Sequence, residues 1–284
     1  MHCLERLAIK NKANTQTLHI KLLRNAITVR TDASEVAEWL ARSFSLMLAQ
    51  QPRRPSFEVQ ILRSTDGYRI LRDCEAGPSA GRLLPNLAEV RREVAIMLME
   101  TQPELLWFHA GAVAKGGAAV LLPGPWGSGK SSIATSLCAG GWLYLSDDMV
   151  GIDMEKNAAV PFPITPLVRE PTCAFHADHW TAIKREFCLS KQSVSKKPQP
   201  LAATVFPEYK PNAPASLNRC DTLTASAKLF ESCMNFRQHG ERAVAYIAEL
   251  VRKIPVYQLT YSFAPVAAAE IEHTLEPLLG EVSG

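Results

Sequence analysis

The 284-residue sequence predicts an α/β protein in two parts: a smaller α+β domain over residues 1–102, and a phosphate-loop domain over 103–284 with a central sheet and flanking helices. Three observations carry that prediction. Short apolar runs alternate with stretches of helical periodicity along the chain. An apolar run over 118–122 leads into Gly124-Pro-Trp-Gly-Ser-Gly129-Lys130-Ser131, which fits G-x-x-x-x-G-K-[ST], and a helix-compatible stretch over 131–139 leads out. Finally, 47% hydrophobic and 21% charged residues is the balance of a globular chain with a sizeable core.

In the first hundred residues, strands are expected over 18–23 and 26–29. A helix over 33–48 follows, because Asp32 and Glu35 stand in capping-box spacing and Val36, Trp39, Leu40, Phe44 and Met47 share one face. Strands over 57–62 and 68–71 come next, with Asp66-Gly67 between them as a hairpin signal. Asn86 and Glu89 repeat the capping-box spacing beside Leu87, Val90, Val94 and Met97, predicting a second amphipathic helix.

Past Pro103, strands are expected over 107–113 and 118–122, joined by a turn at Lys115-Gly116-Gly117. After the loop and its helix, Gly140-Gly141 should stop the helix, and residues 142–145 should form a strand that finishes in Ser146-Asp147-Asp148. Residues 188–214, rich in Lys, Ser and Pro, read mostly as a long mobile loop around a short apolar patch at 201–206. Helices are expected over 224–236, 241–253 and 266–279, with a strand over 256–261.

A net charge of +3 falls short of the dense basic face that nucleic-acid binding needs. Seven cysteines with no C-x-x-C pair indicate neither a zinc site nor a disulfide framework, and suit a reducing cytoplasm. No run reaches the roughly 18 apolar residues of a membrane helix, since the richest region, 110–122, is broken by Lys115 and the two glycines after it. The first twelve residues lack the features of a secretory signal. The expectation is a cytoplasmic protein with no membrane and no nucleic-acid partner.

In a phosphate loop, glycines let successive backbone N–H groups turn toward one point, and the new helix adds its partial positive end. Lys130 would bring a mobile charge to the β- and γ-phosphates. Candidate nucleotide contacts are Gly124, Gly127, Ser128, Gly129, Lys130, Ser131 and Ser132, with the Ser131 hydroxyl also placed for Mg²⁺. Pro125 removes one N–H donor, and Trp126 either stacks on substrate or packs on a neighbouring element. Phosphoryl transfer also needs a metal and a carboxylate that accepts the attacking hydroxyl's proton. Asp147 and Asp148 are the candidates, against the alternative of two aspartates in a surface turn. Neighbours at a strand's end point to opposite sides, so one should face the ligand and the other support it from behind. His109 is either an ordinary core histidine or, beside the loop strand, the group that orients and tunes that carboxylate.

Taken together, His109-Ala110-Gly111, a turn, the strand into Gly124–Ser131, a helix, Gly140 and an apolar strand ending in Asp147-Asp148 resemble the HPr kinase/phosphorylase superfamily. Separations of 21 residues from His109 to Lys130 and 18 from Lys130 to Asp148 look like that family's. The resemblance covers residues 105–152 firmly and extends weakly to about residue 261. It implies a P-loop kinase domain of the HPr kinase-like type, ATP and Mg²⁺ as cofactors, and transfer of the γ-phosphoryl group to a serine hydroxyl. By position it implies Asp148 as the base, Asp147 and His109 as its supports, and Lys130 and Ser131 at phosphate and Mg²⁺. Asp147 and a downstream acidic residue, Glu170, would complete the metal site, with Arg169 touching phosphate; Arg169 and Glu170 also read as a solvated ion pair. The family's downstream glycine-rich signature has no counterpart here, and the amino-terminal region differs. The likeness is therefore to divergent HPr kinase-like proteins of peptide-modifying systems, some of which phosphorylate a ribosomally made precursor such as a lasso peptide. The implied partner is a peptide or small protein, held with help from the amino-terminal domain and from Lys184, Arg185, Lys191, Lys196 and Lys197, a run that otherwise reads as a solvated face. Family members often assemble as hexamers, so a homo-oligomer is also implied.

Two other readings use the same residues. One is a kinase for a small metabolite, as in the distantly similar phosphoenolpyruvate carboxykinases. The other is a nucleotide-sensing module that binds a peptide without transferring phosphate. A sensor needs the cradle and metal but no proton acceptor, so the Asp-Asp pair and His109 speak against it.

Overall fold

A computed structural model describes residues 15–74, 77–78, 81–169, 184–187 and 189–279. The chain divides into two compact units, Met1–Pro103 and Glu104–Gly284, both of mixed α/β composition.

In the smaller unit, β1 (Gln16–Leu22) and β2 (Asn25–Thr31) form a hairpin. Helix α1 (Ser34–Ser43) then crosses to β3 (Phe57–Ser64), which lies parallel to β2. Strand β4 (Gly67–Cys74) turns back antiparallel to β3 and also pairs with the short β5 (Gly77–Pro78) and β6 (Arg82–Leu84). Helix α2 (Leu87–Glu100) packs against α1, and Val36, Leu40, Val90, Val94 and Leu98 are buried.

Three local expectations change. Helix α1 stops at Ser43, not residue 48, because the chain turns to lay residues 47–49 along β1: Lys21 N–H donates to Met47 O and Ala49 N–H to His19 O, both at 2.9 Å. Asp32 does not cap that helix. The cap is Ala33, while Asp32 Oδ1 accepts from Arg63 N–H at 3.0 Å and Glu35 takes the Tyr68 hydroxyl at 3.1 Å. At the hairpin, the Ser64–Gly67 pair makes Thr65-Asp66 the two-residue loop, and Gly67 is required at φ +133° because a Cβ there would meet Leu84 O at 2.2 Å. The Asn86 cap forms as its spacing indicates, accepting from Glu89 N–H at 3.0 Å.

The larger unit opens with β7 (Leu106–Phe108), β8 (Ala110–Lys115) and β9 (Ala118–Pro123), then α3 (Lys130–Ala139) and β10 (Leu143–Ser146). It continues through β11 (Val150–Asp153), β12 (Ala158–Val160), β13 (Leu167–Arg169), β14 (Lys184–Glu186), β15 (Gln199–Tyr209) and β16 (Ser216–Arg219). Helices α4 (Thr222–Ser232), α5 (Phe236–His239) and α6 (Glu241–Lys253), strand β17 (Val256–Tyr261) and helix α7 (Ala264–Leu279) complete it. The sheet is mixed. Strand β8 lies between β9 and β10, antiparallel to both, so β9 and β10 run the same way. On the other side of β9, β15 and β17 run parallel to it, and β16 closes that edge. The start of β15 also pairs with β12, which continues through β11 to β7. The carboxyl ends of β9, β10, β15 and β17 and the amino end of β8 thus share one edge of the sheet.

The expected strand over 107–113 is two strands broken at His109: β7 joins β11, and β8 joins β9 and β10. The expected mobile loop over 188–214 contains β15, an 11-residue central strand whose Leu201–Phe206 stretch is buried. Lys184 and Arg185 lie on β14, paired with Leu167–Arg169, and Lys191 opens a single 3₁₀ turn. Helix α4 ends at Ser232, four residues early, because the chain crosses to β7 there: Met234 N–H donates to Trp107 O at 2.8 Å. One sheet face packs on α4 and α6 through Ala110, Ala112, Ala119, Leu121, Leu229, Ile247 and Leu250. The alternate positions Val113, Val120 and Leu122 are buried too, and α3 packs there against β8 and α7. Among the described residues, no helix is long and apolar enough to cross a membrane.

Candidate active site

The loop after β9 is built around two glycines in left-handed conformation, Gly127 at φ +88° and Gly129 at φ +91°. Gly129 admits no other residue, since a Cβ would lie 1.6 Å from the Tyr261 hydroxyl. That hydroxyl, at the end of β17, donates to Ser128 O at 3.0 Å and props the loop from beneath. The Ser128 side-chain hydroxyl is buried inside the loop and has no hydrogen-bond partner among the described residues. Ser131 and Ser132 stand half-buried in the first turn of α3, directly after Lys130. A helix start, turned backbone N–H groups and an orphaned buried hydroxyl make a cradle that fits an anionic phosphate. Trp126 stands 46% exposed on the outside of the loop.

Lys130 is buried, and its three ammonium hydrogens are fully used. Nζ lies 2.8 Å from Gly124 O, 2.9 Å from Pro125 O and 3.2 Å from His109 Nε2. Burial lowers its pKa to about 8, against the raising effect of Asp148 and then Asp147. His109 Nδ1 lies 2.9 Å from the Asp148 main-chain O and 3.4 Å from Asp148 Oδ1. A neutral imidazole with its hydrogen on Nδ1 satisfies every contact, donating to Asp148 and accepting from Lys130 at Nε2. Burial, and next the Lys130 charge, hold the His109 pKa below its ordinary value even though Asp148 pulls the other way. The break between β7 and β8 is what aims this ring: His109 N–H donates to Ser232 O at 2.8 Å and Ala110 N–H to Asp148 O at 3.2 Å.

Asp147 and Asp148 do point in different directions. Asp147 is 5% exposed and accepts from the Tyr144 hydroxyl at 2.8 Å, while the Asp148 side chain is 32% exposed beside His109. The Tyr144 hydroxyl also lies 2.8 Å from Ile164 O, so one proton serves two acceptors. Ser146 Oγ donates to Met149 O at 2.6 Å and fixes the turn that carries the pair. Gly111 passes close behind, where a Cβ would sit 3.6 Å from Asp147 Cα. Glu170 and the Arg169 side chain lie outside the described residues. Among the described residues, no group of three or more His, Cys, Asp or Glu side chains could hold a metal ion. Mg²⁺ ordinarily takes only one or two carboxylates plus substrate phosphates and water, so a serine hydroxyl with an aspartate is a donor set of the kind it uses.

Tyr144, Tyr261 and the Ser232 carbonyl are contributors that the sequence reading missed. Tyr261 and Ser232 act through contacts between residues far apart in the chain, Tyr144 through one three residues long, and only the placement of the tyrosines near strand ends hints at it. The basic segment behaves differently from a free loop: Ser195 N–H donates to Tyr144 O at 2.9 Å, so Lys196 and Lys197 stand exposed alongside β10. No family model matches the chain, and no curated protein matches it. The geometry places a glycine-rich loop at a helix start, a cation, an imidazole and a carboxylate on one sheet edge. Such a set can hold an anion and take a proton from a hydroxyl beside it.

Proposed function

We propose that the larger unit is a P-loop kinase of the HPr kinase-like type, cytoplasmic, using ATP and Mg²⁺ to phosphorylate a serine hydroxyl of a peptide or small protein. One observation supports this above all: the His109 ring lies between Lys130 at 3.2 Å and Asp148 at 3.4 Å. A module that only holds nucleotide needs Lys130 but has no use for an imidazole that orients a carboxylate beside it.

In this reading the triphosphate enters the loop, where the Ser128 hydroxyl and the backbone N–H groups receive it, and Lys130 exchanges its carbonyl acceptors for phosphate oxygens. Ser131 and Asp147 would hold Mg²⁺, which when bound neutralises charge on the transferring group. The serine hydroxyl attacks the γ-phosphorus and gives its proton to the Asp148 carboxylate. As the new O–P bond forms, the bond to the β-phosphate oxygen breaks and ADP leaves. His109 keeps Asp148 oriented through Nδ1–H, and Tyr144 fixes Asp147 behind it. Lys191, Lys196 and Lys197, exposed near β10, suit a peptide that carries acidic residues.

The test is incubation with Mg-ATP and serine-containing peptides, followed by mass spectrometry for an added phosphate. Unmodified peptides alongside phosphorylated small metabolites would move the reading to a metabolite kinase. Bound ATP with no phosphorylated product of any kind would leave a sensor and end it.

A further inference from the structure

We infer that the same edge has a second, aromatic half that takes the nucleobase by its face alone, so that adenine and guanine triphosphates are both accepted. This rests on the kinase reading above and adds where the base goes. The proton-handling groups all lie on the β8 and β10 side of the loop, so the γ-phosphate end of a nucleotide belongs there. The remainder of the molecule must then extend toward β15 and β17.

Those two strands finish in Tyr209 and Tyr261, which are direct partners in the sheet, with rings 5.9 Å apart and interplanar angle 80°. Tyr261 is tied to the loop itself through Ser128 and Gly129, so the aromatic pair is continuous with the phosphate cradle. Two residues on, Phe263 stands 63% exposed, with its carbonyl accepting Ala267 N–H in the first turn of α7. Val266 is 52% exposed in the same turn, and Tyr209 is 36% exposed. Helices α7 and α3 pack together and both start at this edge. Large apolar groups left open at the mouth of a polar site mark a surface that a flat apolar ligand covers. Polar side chains close in sequence to these rings already have partners: Ser262 Oγ donates to Ala213 O at 2.7 Å, Lys210 pairs with Glu208 at 3.1 Å, and Gln258 bonds Phe206 O and Lys228. Stacking without edge recognition is tolerant of base identity.

The experiment titrates Mg-ATP, Mg-GTP and inorganic tripolyphosphate into the full chain and into Phe263→Ala, Tyr209→Ala and Tyr209→Phe, by calorimetry. ATP and GTP should bind within about fivefold of each other, and each alanine variant should weaken both by about tenfold. Tripolyphosphate binding should stay unchanged throughout, and Tyr209→Phe should match the wild type. Nucleotide affinity untouched by both alanine variants would overturn the aromatic site, as would a preference of roughly a hundredfold or more for one base, the mark of edge recognition. Should Tyr209→Ala also lose tripolyphosphate, Phe263→Ala decides, since its ring is largely exposed. A wild type that binds one nucleotide and tripolyphosphate but not the other nucleotide overturns the inference alone; one that binds neither nucleotide overturns the kinase reading with it.

Discussion

The surface of the smaller unit and the loop edge of the larger one treat charge in opposite ways. In the smaller one, arginines meet carboxylates on the surface: Arg30 with Glu58 at 3.1 Å, Arg82 with Glu93 at 2.8 Å, Arg92 with Glu89 at 2.6 Å and Arg63 with Glu35 at 2.5 Å. Exposed pairs of this kind contribute about 0–1 kcal/mol each, so the unit would fold without any one of them. On the loop edge of the larger unit, Lys130 and Asp147 are more than nine-tenths buried, and an imidazole stands between Lys130 and Asp148. That arrangement costs stability, which is what the lowered Lys130 pKa expresses. Perturbed groups held together at an open edge point to chemistry, whereas satisfied surface pairs point to solubility.

The contrast breaks most visibly at Asp148. Asp148→Asn should slow phosphoryl transfer by about 10³-fold, the range of general-base loss, while Mg-ATP affinity by calorimetry stays within about twofold. Turnover equal to wild type would remove Asp148 from the role of base. A smaller but still clear effect is expected behind it. Tyr144→Phe removes one hydrogen-bond donor from a buried carboxylate and should lower unfolding free energy by about 1 kcal/mol in urea denaturation. An unchanged midpoint would mean that Asp147 is not anchored there.

Lys130 gives the pH test. Its folded pKa, about 8, is below the ordinary lysine value of 10.5, so this group's penalty on the folded state is full below pH 8 and fades as pH rises toward 10.5. A bound triphosphate favours the ammonium, so binding near pH 8 should take up protons, and affinity above pH 8 should fall by up to about tenfold per pH unit. Calorimetry in two buffers of different ionisation enthalpy checks it, and a flat affinity across that range would contradict it. The smallest effect belongs to the other side of the comparison: Arg63→Ala should change stability by less than about 1 kcal/mol and leave transfer alone. A larger loss would erase the difference between the units.

What the sequence carried was local. The Asn86 cap, the glycine stop at Gly140-Gly141 and the strand–loop–helix around Lys130 are all short-range patterns, and the backbone follows them. Asp32 has the same spacing as Asn86 but is drawn away by Arg63 N–H on a strand 31 residues later, which no window contains. Strand β15 was hidden by Pro200 and Pro207, which bracket the buried run and imitate a loop boundary. At the site, His109, Lys130 and Asp148 were legible as a spaced set, but the antiparallel β8 between β9 and β10 was not. Tyr144 and Tyr261 carry no motif: Tyr144 acts on a carboxylate three residues further along its own strand end, and Tyr261 on a loop carbonyl 133 residues away.

The most direct measurement is ³¹P NMR of Mg-ATP mixed with the full chain and a serine-peptide library, run in parallel with Asp148→Asn. The expected result is loss of the γ-phosphate signal with growth of a phosphoserine signal in the wild type, and neither in the variant. ATP that is bound yet keeps its γ-phosphate in both samples, or that loses it equally in both, would contradict a proton-accepting transfer site at this edge.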